Sequence, residues 1–450
     1  MARQFPEKED SNSTMAFFFL FLYTASVLIR PHEMFLTSVE WITIKVFAIL
    51  AFIVALAAQR PLTMHPQHWM LLGLIPLIVF SGFLNGSGMI GVEQAEKLFV
   101  SSIIPLFLFS NCITSIRRQH ALMLVCLVAA LLMVHNGHVQ QTAFQGFGWA
   151  LDTHSVGYIN LGERRITYLG FFNDPNDLGM FLVMNIPFAV YFYNRGKFLT
   201  KVTMLGILVA FGYGIYLTGS RGTMLGAGAL FGVYLLVVNA GPRLFLLATI
   251  MAPIAATVVA SLQSSIDASA NGRLEAWYAG ILMLLHNPVF GIGKGQFLEE
   301  HGLVAHNSYI HVAGELGVPG YSFWGGALIF TVLTGYLLIR ERKKDKNLND
   351  EANAEAPKVE KISPECQNEL TLNKTLFFSL IGFMITGFFI SRMYTLLLFI
   401  FMGMALASHV RVIKLMPDYQ PFFSTSLAIK SMGYAWVIII AVYISLKLGL

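Results

Sequence analysis

The sequence predicts an all-α polytopic membrane protein of about twelve transmembrane helices, with a thirteenth candidate near the C-terminus. Three observations carry this reading. Of 450 residues, 56% are hydrophobic and 12% are charged, whereas a soluble domain carries roughly 25% charged residues. Apolar runs close to the length of a bilayer span recur along the whole chain. Helices are the only open-ended structure that satisfies its own backbone inside lipid. The same composition excludes other classes. Three cysteines are too few for a secreted disulfide scaffold. A disordered chain would not hold 37 Phe, 16 Tyr and 6 Trp. The net charge of +5, spread in short clusters between apolar runs, argues against nucleic acid as a partner.

The elements follow in order. The first 14 residues, MARQFPEKEDSNST, are polar, and no small-residue cleavage motif follows the first apolar run. That run therefore reads as a retained helix rather than a signal peptide. Apolar runs lie at 15–29, 41–58, 69–84, 98–116, 121–135, 178–193, 202–218, 223–239, 244–260, 319–339, 374–390 and 393–409, with the further candidate at 433–449. No soluble domain interrupts them, so 1–450 reads as one membrane domain.

Orientation follows from Lys and Arg, which favour cytoplasmic loops. With the N-terminus inside, 20 of the 30 basic residues fall on the cytoplasmic side. Eight fall outside: Arg30, Lys97, Arg164, Arg165, Arg221, Arg273, Lys294 and Arg392. Segment 340–373, charged and Pro-containing, reads as a solvated cytoplasmic loop. Cys112, Cys126 and Cys366 fall in or near that side, where no extracytoplasmic disulfide forms. Two long outer segments, 136–177 and 261–318, with His135 at the edge of the first, hold seven of the twelve histidines. Long loops on one face usually carry function.

The most informative stretch is 271–320. Asn271 can cap a helix beginning near Arg273. Leu274, Trp277, Tyr278, Ile281, Leu282 and Leu285 recur at helical spacing, and Pro288 ends the pattern. Phe290-Gly291-Ile292-Gly293-Lys294-Gly295 is a turn, a weak match to a phosphate-cradling loop because its spacing is neither Walker nor Rossmann. His306-Asn307-Ser308-Tyr309 opens a second, short helix, and Gly314, Gly317 and Pro319-Gly320 break the chain before the tenth span. His301, His306 and His311 are five apart and cannot share a helix face, so no zinc site is assigned. Asp174, Asn176 and Asp177 fit a divalent cation or a capped helix start equally well. No metal and no cofactor is assigned.

Taken in order, these motifs resemble a known family. Ser220-Arg221-Gly222 follows a span. Then come Arg273 and Trp277 in R-x3-W, Asn287 to Gly293 as N-P-x-F-G-I-G, and His306 to Tyr309 as H-N-x-Y. Glu315, Gly317 and Gly320 complete E-x-G-x-x-G, and Phe172 to Asp177 forms a further matching segment. This pattern is similar to the O-antigen ligase and polymerase family of bacterial inner-membrane glycosyltransferases. The resemblance implies a GT-C-like fold with a periplasmic active site on loop 261–318. It implies transfer of a glycan from undecaprenyl pyrophosphate to an acceptor sugar, on the lipid A core for ligases or on another lipid-linked unit for polymerases and exopolysaccharide enzymes. It maps a catalytic role onto His306 and pyrophosphate binding onto Arg221 and Arg273. The thirteenth run departs from the usual ligase pattern and leaves the subfamily open.

The residues support such chemistry on their own terms. Arginine's planar fork binds phosphate oxygens bidentately and keeps its charge. Arg165, Arg221, Arg273 and Arg392 all lie at span ends on the outer side, where an unpaired Arg is expensive. For Arg221 and Arg273 pyrophosphate contact outweighs lipid snorkelling; for Arg392 and Arg165, kept as candidates, snorkelling or a structural ion pair leads; for Arg164 and Arg30 it wins. Arg221 also stands at a helix N-terminus, which favours an anion. Histidine is the natural base near neutral pH, which makes His306 the candidate. Asn307, Tyr309, Glu315 and Asp174 are assigned supporting roles. His311 and Glu315, four apart, share a helix face and read first as packing. The rival class is a transporter or flippase for a lipid-linked or anionic solute. It would need ionisable residues at mid-membrane, and 69–84, 121–135 and 244–260 have none there.

Overall fold

A computed structural model of the chain describes residues 11–34, 42–58, 63–142, 148–150, 165–239, 244, 247–248, 251–258, 268–352 and 363–449. Among the described residues all regular structure is helical. The helices are α1 (Ser11–Ile29), α2 (Thr43–Ala58), α3 (Pro66–Leu84), α4 (Met89–Leu98), α5 (Ile104–Cys112), α6 (Ile116–Thr142), α7 (Pro175–Arg195) and α8 (Phe198–Leu217). They continue with α9 (Arg221–Asn239), α10 (Ala268–His286), α11 (Phe297–His301), α12 (Ser308–Ala352), α13 (Pro364–Thr386), α14 (Leu396–Leu415) and α15 (Thr425–Gly449). Among the described residues seven segments are long and apolar enough to cross a membrane, and α1, α2 and α9 are shorter apolar helices. Helices α7 and α13 are long enough but carry Asn176, Asp177 and Asn185, or Glu369, Asn373 and Lys374, along their length. The chain is an all-α, multi-pass membrane protein.

The helices keep the predicted order and differ in their boundaries. The run at 98–116 belongs to one stretch from Met89 to Cys112, in which a π-helical turn, Phe99–Ile103, joins α4 to α5. The run at 244–260 is helical at 251–258, and much of the rest lies outside the described residues. The charged segment 340–373 is helical at both ends. Its Arg, Lys, Glu and Ala residues are good helix formers, and α12 runs on to Ala352. Ser363 caps α13, its hydroxyl accepting the Cys366 N–H at 3.2 Å. Residues 353–362 and Arg164 lie outside the described residues. The thirteenth candidate is α15, which packs on α12 and α3 and buries Ala428, Ala435 and Val442.

One apolar core runs from Ala16 to Leu446. Helix α14 lies at its centre against α5 and α13, and α7 packs on α8 and α13. Up-and-down connectivity gathers the starts of α7, α9, α12 and α14 and the end of α13 on one face. Every segment quoted for the family resemblance reaches that face or is held against it.

Candidate functional site

The centre is the turn before α12. Asn307 is buried, and its Oδ1 accepts the N–H groups of Tyr309 at 3.0 Å and Ile310 at 3.2 Å. It is a helix N-cap, which explains an amide at this position. His306 precedes it in the left-handed region, at φ 48°. A non-glycine residue there is strained and is held in place by its surroundings. Tyr309 turns away into the core, donating its hydroxyl to Met384 O at 2.9 Å and packing on Trp324 and Phe388. Its role is therefore packing. The capped helix is also not short. It continues to Ala352 with one non-helical residue, Gly317, at φ 65° and ψ −164°.

Ser308 binds this turn to the segment after α13. Its backbone N–H donates to Gly387 O at 2.8 Å, its hydroxyl donates to Ile390 O at 2.5 Å and it accepts the Arg392 N–H at 2.9 Å. Arg392 in turn donates its Nε to the buried carboxylate of Asp177, at the start of α7. The neighbouring Asp174 caps α7, accepting Asn176 N at 2.7 Å. Asn176 Oδ1 accepts the Ser220 hydroxyl at 2.6 Å. Ser220 then caps α9 through Thr223 N at 3.2 Å. Gly222 admits the Phe389 side chain, whose Cβ would lie 2.9 Å from an added Cβ. Segments 172–177, 220–222, 306–309 and 387–392 thus form one continuous polar seam, with three capped helix starts among its parts.

The predicted arginines divide. Arg392 is an ion-pair partner of Asp177, with 39% of its side chain still exposed. Arg165 is tied to the seam by Nε to Thr218 O at 3.0 Å and Nη2 to Asn176 Oδ1 at 3.5 Å. Arg221 is exposed at the first residue of α9, and Arg273 is half-buried in α10. Arg30 forms an ion pair with Glu33, the structural role expected of it. His306 is half-buried. Burial, and next to it the positive charge of Arg273, lower its imidazole to about 4. Asp174 raises it, while Arg392 and His311 lower it further. Its neutral form, able to accept a proton, prevails at neutral pH.

The glycine-rich turn differs from the phosphate cradle considered for it. Where Gly317 opens α12, the carbonyls of Gly314 and Glu315 accept Ile292 N at 3.1 Å and Gly293 N at 3.0 Å, and Val318 N donates to Pro288 O at 2.7 Å. The Glu315 carboxylate accepts Gly295 N at 2.8 Å and Phe297 N at 3.4 Å. An added Cβ on Gly291, at φ 63°, would sit 2.3 Å from the Glu315 carbonyl. The two glycine motifs are thus one interlocked unit, and the loop's N–H groups are directed at protein acceptors rather than at a ligand. Helix α10 begins by Ala268, so Asn271 lies inside it and bonds Glu275 at 2.8 Å. Of the predicted stripe, Leu274, Trp277 and Ile281 are buried, while Tyr278 and Leu285 are exposed.

Residues 206–325 match the family model described as O-antigen ligase. The chain carries an O-antigen ligase family domain. No curated protein matches the sequence. The match contains Arg221, Arg273, His306 and Glu315, and supports glycan transfer of the O-antigen ligase and polymerase type. Residues 165–177 and 387–392, which complete the polar seam, lie outside the matched stretch. Sequence reasoning missed Ser308, Ser391 and the Asp177–Arg392 pair. A usable signal existed for the last, since a carboxylate at a span end needs a cation.

Proposed function

We propose that the chain transfers a glycan from undecaprenyl pyrophosphate to an acceptor sugar hydroxyl, at the periplasmic face of the bacterial inner membrane. The observation that carries this is a strained, half-buried histidine in the turn that Ser308 ties to Arg392, on the face where the motif segments meet, with burial and then the charge of Arg273 keeping its imidazole neutral. His306 takes the proton of the attacking hydroxyl. The acceptor oxygen bonds the anomeric carbon as the bond to phosphate breaks, and the pyrophosphate leaves with the electron pair. Direct displacement inverts that carbon. Arg221 and Arg273 bind the pyrophosphate and stabilise the charge it develops, flanked by Arg392 and Arg165. An apolar crevice of about 370 Å³, lined by Ile186 of α7, Leu208, Ile215 and Tyr216 of α8 and Met224 of α9 among others, lies beside the first turns of α9, which Arg221 begins. It favours a donor with an apolar tail over a free nucleotide sugar.

The test is in vitro transfer with purified protein, a synthetic undecaprenyl-pyrophosphate glycan and candidate acceptors. Joining of the glycan to lipid A core gives a ligase, and joining to a second lipid-linked unit gives a polymerase. Movement of the intact donor across a vesicle membrane, with no bond cleaved, would replace this reading by the transporter.

A further inference from the structure

His311 is a buried histidine that the transfer chemistry leaves unused. It stands one turn into α12, and both of its ring nitrogens are engaged. Nε2 lies 3.0 Å from Glu315 Oε1 and Nδ1 lies 2.9 Å from Ser391 Oγ. A carboxylate is an acceptor only, so in the neutral ring Nε2 carries the proton and Nδ1 accepts the Ser391 hydroxyl. The ring has little freedom to turn, because Phe297 packs on it with centroids 4.7 Å apart. Glu315 is itself pinned by the Gly295 N–H at 2.8 Å and by Gly293 N donating to its carbonyl at 3.0 Å. One end of His311 is therefore anchored in the interlocked glycine unit. The other end holds the residue immediately before Arg392.

We propose that His311 is a positioning residue for the anion-binding half of the site. Through Ser391 it sets where Arg392 presents its guanidinium, and so sets the affinity for the pyrophosphate of a lipid-linked donor. The inference rests on the glycan-transfer reading of the same face. Its physical basis is the narrow tolerance of a guanidinium fork, which meets phosphate oxygens bidentately only when its backbone is held within about 0.5 Å. Ser308 and Asp177 fix Arg392 from the backbone N–H and from Nε. The Ser391–His311 bond supplies a third point and stops the turn pivoting about the other two.

The two arms of His311 separate by substitution. His311→Asn keeps a polar group near the Nδ1 position and drops the reach to Glu315. His311→Gln reaches Glu315 and leaves Ser391 unmet. The measurement is binding of farnesyl pyrophosphate to the full-length protein in detergent, alongside donor KM and kcat for transfer and the melting temperature. Ser391→Ala and His311→Gln should each weaken binding and raise donor KM about tenfold, the worth of one well-oriented hydrogen bond, with kcat within about twofold. His311→Asn should retain most of the affinity. Wild-type affinity in Ser391→Ala would overturn the inference alone. So would a drop in melting temperature and kcat at unchanged affinity, since that is a structural role. Absence of pyrophosphate binding by the wild-type protein would overturn it together with the glycan-transfer reading.

Discussion

Two turns sit at either end of the short segment before α12, and they differ in what they hold. Residues 287–297 are glycine-rich and resemble a ligand loop, yet Ile292, Gly293, Gly295 and Phe297 direct their N–H groups at Gly314 and Glu315. In residues 302–308 Asn307 and Ser308 also meet protein partners, but between Ala305 and Asn307 the chain holds His306, which is strained and half-buried, its imidazole lowered by burial and then by the charge of Arg273. A turn whose polar groups meet protein partners is architecture, because unmaking those bonds costs the desolvation of each group. A turn that holds a strained titratable group among cations is fitted for chemistry. Glycine content alone does not separate the two.

The comparison breaks most readily at the histidine. His306→Ala should lower transfer by about 10²–10⁴-fold, the usual worth of a general base, with donor binding retained. Near-normal turnover would remove His306 from the reaction. Next in size, Arg221→Lys and Arg273→Lys should each lose roughly 10- to 100-fold in transfer, since an ammonium cannot reproduce a bidentate fork. Wild-type rates in both would assign these residues to lipid headgroups.

On the other turn the expected effect is on the fold. Gly291→Ala should lower the melting temperature through a loss of about 1–3 kcal/mol, because its φ is positive and its Cβ would meet the Glu315 carbonyl. Donor KM of the folded fraction should be unchanged. A selective loss of donor affinity at unchanged melting temperature would restore a ligand role to 287–297.

A smaller effect concerns pH. His306 lies near 4, so its base form should persist down to mildly acidic conditions and transfer should fall as pH drops through about 4. Arg273 is the second cause of that lowering, after burial. Arg273→Met should therefore move the acid limb of the residual activity to higher pH. An unmoved limb would mean the two groups do not sense each other. The smallest expected effect is that of EDTA, which should leave transfer unchanged. Asp174 caps α7, Asp177 is paired with Arg392, and among the described residues no group of three metal-ligating side chains comes together. Loss of activity restored by Mg²⁺ would break this part of the arginine scheme.

The apolar runs by themselves determine a helical membrane protein, because lipid permits few other ways to satisfy a backbone. The spacing of Ser220-Arg221-Gly222, Arg273, His306-Asn307 and Glu315-x-Gly317 is likewise legible in the chain. What these residues touch is not. Helical periodicity says which residues share a face and nothing about which neighbour that face meets. Asp177 and Arg392 are 215 positions apart and Ser308 and Ile390 are 82 apart, so their bonds exist only once α7, α12 and α13 have packed. The same holds for Glu315, whose sequence neighbours suggest a partner on its own helix and whose carboxylate instead also closes a turn 20 residues earlier. Tyr309 stands next to the capping turn in sequence and is carried into the core by the helix it begins. Composition and spacing therefore decide the class of protein and nominate its groups. The packing of helix ends on one face decides which of those groups stand together, because a polar side chain taken out of water must find its partners wherever the fold brings them.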